Sequence, residues 1–142
     1  MNANILVAFD GSPSAQRALE LAIDLAKSEP ATVHVVNVEP YLDDYGMVPA
    51  YFSPREHHRI TAERGEALLA PAVKRLEQEH VEHQAHVVWG DAARAIARSA
   101  RRLKCGSIVM GTRGMGALRN LLFASTATRL VRLSPVPVTL VK

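Results

Sequence analysis

Gly111, Gly114, Ser125 and Thr126 follow a short apolar run, and Arg113 stands between the two glycines. Residues of these types in this order could hold a phosphate. Glycine lets backbone N–H groups come close to a ligand, and consecutive amides in a tight turn form a nest for an anion. Ser125 and Thr126 are expected to open a helix ending near Leu133. The first N–H groups of such a helix lack intrahelical partners, and its dipole is positive there. Their hydroxyls could bond phosphate oxygens, and Arg113 could add charge. The same residues also suit a plain loop before an N-capped helix. Local chemistry leaves both readings open.

Other signatures narrow the choice. There is no G-x-x-x-x-G-K-[ST], and the first strand leads into Asp10-Gly11-Ser12, not G-x-G-x-x-G. Asp10, Glu39 and the histidines are the obvious bases, and none is tied by spacing to the glycine stretch. Ser125 shows no adjacent base that would make it a nucleophile. Fast phosphoryl transfer lacks its usual lysine and metal-binding acid, so at most slow hydrolysis of a bound phosphate compound is expected. No metal site is expected either. His83 and His86 fall on opposite faces of a strand, adjacent His57 and His58 cannot face one way on a helix, and His34 suits a strand.

The elements that must position these residues alternate along the chain. Apolar or β-branched runs predict strands at Asn4–Phe9, Thr32–Val38, His83–Trp89, Ser107–Met110 and Pro137–Val141. Helical spacing predicts helices after Pro13, over Arg55–Glu79 with a kink or break at Pro71, and over Ala92–Leu103. Residues 39–54 form a long connection holding all three tyrosines, either functional or merely pinned by its aromatics. Such alternation implies an α/β fold: a doubly wound, five-stranded, mainly parallel sheet with helices on both faces. Ligands of such sheets bind beyond the carboxyl ends of the strands, where the strand order reverses. Here those ends carry Asp10, Val38 and the stretch from Gly111.

A chain of 142 residues suits one domain, 1–142. Cys105 is the only cysteine, which rules out an internal disulfide and fits a buried apolar thiol in a reducing compartment. No signal sequence opens the chain and no segment reaches ~20 apolar residues, so a cytoplasmic location without a membrane partner is expected. The net charge of +3 raises nucleic acid as a partner. Arg94, Arg98 and Arg101, however, lie opposite the apolar stripe of their helix, as on a solvated face, with no aromatics interleaved to stack bases. No nucleic-acid partner is expected. The last strand, at a sheet edge, invites pairing with another chain, although Pro135 and Pro137 blunt part of it.

The whole chain resembles the universal stress proteins. "VAFDGS" (Val7–Ser12), "VVNVEP" (Val35–Pro40) and "SPVPVTLVK" (Ser134–Lys142) match their opening, second strand and ending. Gly111, Gly114 and Ser125 match their G-x2-G-x9-G-[ST] pattern, with Ala124 where the pattern has its last glycine. The resemblance implies a Rossmann-like fold of the adenine-nucleotide-binding type, with a site for ATP that Mg2+ could accompany. By that likeness Ala8 and Asp10 hold the adenosine, Val38 lines the adenine slot and Met110 touches the nucleoside. Gly111, Arg113, Gly114, Ala124, Ser125 and Thr126 surround ribose and phosphates. The Ala124 methyl is expected to weaken binding, the more so if the backbone there is left-handed. The likeness also implies a homodimer through the C-terminal strand and a regulatory role in stress with an unknown protein partner. The alternatives are an interaction module of the same fold with an empty pocket, and a slow ATPase.

Overall fold

The protein was analysed as a computed structural model, which describes residues 4–41, 53–112 and 117–142, the side chains of 117–124 excepted. Strand β1 (Ile5–Ala8) is buried, and helix α1 (Pro13–Ser28) follows after a tight turn. Gly11 makes that turn at φ +80°, which few other residues adopt. Ser12 caps α1: its hydroxyl accepts the Ala15 N–H at 3.2 Å, and Pro13 fills the first helical position. The buried stripe Ala15, Ala18, Ala22 and Ala26 brings α1 close to the sheet.

Strand β2 (Val33–Glu39) leads, through residues 42–52, to α2 (Pro54–Gln78), capped by Ser53. Helix α2 runs unbroken through Pro71. Both Pro71 and Ala67, whose carbonyl loses its partner there, are exposed, so water can serve that carbonyl. Strand β3 (His83–Trp89) has the bounds expected from its residues. Helix α3 (Ala92–Arg102), strand β4 (Ser107–Gly111), helix α4 (Ala117–Leu133) and strand β5 (Val138–Val141) complete the chain.

The sheet order is β3-β2-β1-β4-β5, and every pairing is parallel. The expected fold class therefore stands, with no antiparallel pair in the sheet. In β1 successive side chains face opposite layers, as a strand requires. Ile5 and Val7 join Val33, Val35 and Val109 in a core under α1 and α2. Leu6 joins Val36, Ile108 and Met110 in a second core under α3 and α4. The chain moves outward from β1 through α1 and α2, then crosses back to β4 under α3. The order thus reverses between β1 and β4, and the ends of those strands part to leave a crevice.

Candidate functional site

The crevice is a hollow of about 160 Å³, lined by Ala8 at the end of β1, Asp10 just after it, Val38 of β2, Met110 of β4, Ile96 of α3 and Thr126 of α4. Five of the residues expected at a nucleotide site thus meet there: Ala8, Asp10, Val38, Met110 and Thr126. Val38, Ile96 and Met110 offer apolar walls suited to a flat ring, and the Asp10 carboxylate offers oxygens for hydroxyl donors. Asp10 is not free to swing. Its Oδ1 accepts the Ser12 N–H at 2.9 Å, so the turn that starts α1 also holds the carboxylate at the rim. This pairing of apolar walls with an acceptor carboxylate fits the base and sugar of a nucleoside. Arg113 and Gly114, expected around the phosphates, lie outside the described residues.

Three expectations change. Helix α4 begins at Ala117, so Ser125 and Thr126 sit in its interior and do not open it. Alanine, leucine and arginine dominate 117–124 and carry the helix through. The unpaired amides of a helix start therefore do not belong to Ser125, which is exposed, or to Thr126. Ala124 has a helical backbone, so no left-handed penalty attaches to it. Its side chain lies outside the described set.

Gly111 also has a different role from the one its type suggests. It has no positive φ and is buried as the last residue of β4. A β-carbon there would stand 2.6 Å from Ser14 C and 2.7 Å from Ala15 N, and would strike Ser14 Oγ as well. Its missing side chain lets the end of β4 lie against the first turn of α1.

Ala92 and Ile96 also line the hollow; the sequence marks Ala92 only as the start of its helix and Ile96 only as part of the helix's apolar stripe. The usable signal was the position of α3, whose first turn follows directly on the end of β3. Asp91 caps that turn, accepting the Arg94 N–H at 3.1 Å, and grips Arg129 of α4 through two bonds of 2.8 and 2.9 Å. The Arg129 guanidinium is the main cause that holds the Asp91 carboxyl below the usual carboxylate range. Glu39, a candidate base, is buried and committed to Arg64. Cys105 is buried, and desolvation pushes its thiol up to about 11. Among the described residues no three His, Cys, Asp or Glu side chains converge, and no helix is long and apolar enough to cross a membrane.

The model of the universal stress protein family matches residues 1–142. A universal stress protein of Thermus aquaticus is 34% identical over 140 residues, covering 97% of each chain. A solved member of the same family from Burkholderia pseudomallei superposes with a TM-score of 0.75 at 28% identity, covering 98% of this chain and 95% of that one. The universal stress protein from Archaeoglobus fulgidus in complex with dAMP gives 0.71 at 23% identity, covering 99% and 98%, a likeness of fold.

Proposed function

The chain belongs to the universal stress protein family, and on that premise we propose that it binds ATP, with magnesium, as a single-domain, nucleotide-dependent regulator and not as a metabolic enzyme. One observation carries the reading: Ala8, Asp10, Val38 and Met110, drawn from three strands, converge on one hollow at the point where the sheet order reverses. The walls suit a purine and Asp10 suits a ribose; Arg113 and Gly114 are assigned to the phosphates by the family motif alone. The dAMP complex of a protein with this fold supports an adenine nucleotide as the class of ligand. Calorimetric titration of nucleotide-free protein tests it. Saturable heat with ATP and magnesium is expected, and no heat at millimolar ATP overturns the proposal.

A second reading, an interaction module with an unused pocket, is favoured by Ala124 in the place of the motif glycine and by the small volume of the hollow. Mass spectrometry of material released from purified protein separates the two. Under either reading the protein acts in the cytoplasm and pairs with its own copy through β5. Leu140 on that strand and Val131 and Leu133 on α4 are exposed apolar side chains. A monomer alone in sedimentation at micromolar concentration overturns the dimer.

A further inference from the structure

A larger cavity, of about 530 Å³, lies at the other end of the sheet order, where β3 forms an edge. Helix α3 separates it from the nucleotide hollow, and the two share no lining residue. One wall is Trp89, the last residue of β3. The His58 imidazole stacks on its indole with centroids 4.1 Å apart and planes 24° apart. The indole N–H donates to Thr61 Oγ1 at 2.8 Å, which fixes the ring. The facing wall is α3, where Arg98 and Arg102 are one turn apart.

Between the walls lies Gly90. A side-chain carbon there would sit 3.3 Å from Tyr41 Cε2 and 3.6 Å from Arg98 Nη2. Its absence keeps open the space between a phenol ring and a guanidinium.

The charge on this cavity is one-sided. No carboxylate lines it among the described residues. Among the described residues Arg59, Arg64, Arg75 and Arg129 all pair with Asp or Glu, and neither Arg98 nor Arg102 does so. Two guanidiniums with no carboxylate partner among the described residues therefore flank a fixed aromatic wall. The volume falls in the ~300–1,000 Å³ range of small-molecule sites.

We infer that this cavity is a second ligand site, for a small aromatic anion whose ring lies in the aromatic-walled space and whose carboxylate or sulfonate sits between Arg98 and Arg102. Stacking and cation–π attraction suit the ring, and charge-assisted hydrogen bonds suit the acid. The inference does not depend on ATP binding in the other hollow.

Trp89 is the only tryptophan, so it reports on the site directly. The probe is 1-anilinonaphthalene-8-sulfonate, with energy transfer from Trp89 as readout and N-phenyl-1-naphthylamine as the uncharged analogue. Saturable transfer at one dye per chain is expected, with the uncharged dye at least about tenfold weaker. The double variant R98Q/R102Q should lose a similar factor while its circular dichroism is unchanged, and saturating ATP should leave the dye bound. Equal binding of the two dyes to the unaltered protein overturns the inference, whatever the variants do. So does full binding by the double variant, or displacement by ATP. Binding that appears only after Asp43→Asn and Asp44→Asn also overturns it, since the chain's own acids would then be the occupants.

Discussion

His34 Nδ1 and His86 Nε2 lie 3.1 Å apart, joining β2 to the edge strand β3 across the face that α3 covers. The contact is diagonal, because His34 stands opposite Gln84 and His86 opposite Val36. One ring must donate and the other accept. Burial lowers the pKa of both rings below 6.5, and the nearby His34 and Arg102 lower that of His86 further. The folded state therefore prefers the neutral pair.

Acidification below 6.5 protonates the unfolded chain before the folded one, so stability falls as pH drops toward the lowered folded values. Urea denaturation over a pH series should show this slope, and the double variant H34Q/H86Q should flatten it. An unchanged slope would show that the pair does not cause it.

Gly111→Ala should destabilise the protein by roughly 1–3 kcal/mol, because the new methyl meets the α1 backbone and not a movable side-chain tip. Denaturant unfolding measures this. A variant as stable as the parent would mean that β4 and α1 separate freely.

Asp91 and Arg129 should prove unequal partners. Asp91→Ala removes the cap of α3 as well as the ion pair, and should cost about 1 kcal/mol or more. Arg129→Ala removes only a pair whose side chains are 45% and 39% exposed, and should cost under about 1 kcal/mol, less still in high salt. Equal losses would assign the role to the pair and not to the cap.

Asp10→Ala should weaken ATP binding about 10- to 100-fold if the carboxylate accepts ribose hydroxyls. Asp10→Asn keeps an acceptor for the Ser12 N–H and so controls for the turn. Ala124→Gly should tighten ATP binding if the methyl obstructs it, and should also lower stability by roughly 0.5–1 kcal/mol, because position 124 is helical. Calorimetry on each variant gives both answers.

The strands were legible because β-branched and apolar runs between turn residues leave few alternatives, and β3 matches its expected bounds to the residue. The crevice was legible for a related reason: a doubly wound order dictates which strand ends part. The start of α4 was not, since Ser125 is a good cap by type, yet the helix formers before it win by propagation. Gly111 misled because its type suggests a turn, whereas its purpose is clearance from a helix nearly a hundred residues earlier. The edge cavity was hidden for the same reason. Arg98 looks like part of a solvated face in its own helix, and the aromatics beside it come from β3, α2 and the connection that follows β2.

The central strand is made first and receives its second neighbour late. β1 can pair with β2 as soon as both have left the ribosome, but β4 begins only at Ser107. Until α3 and α4 are synthesised, Leu6 and Val36 have no helical roof. Translation proceeds from the N-terminus, so a half-made chain ending near Trp89 presents a greasy underside to the cell.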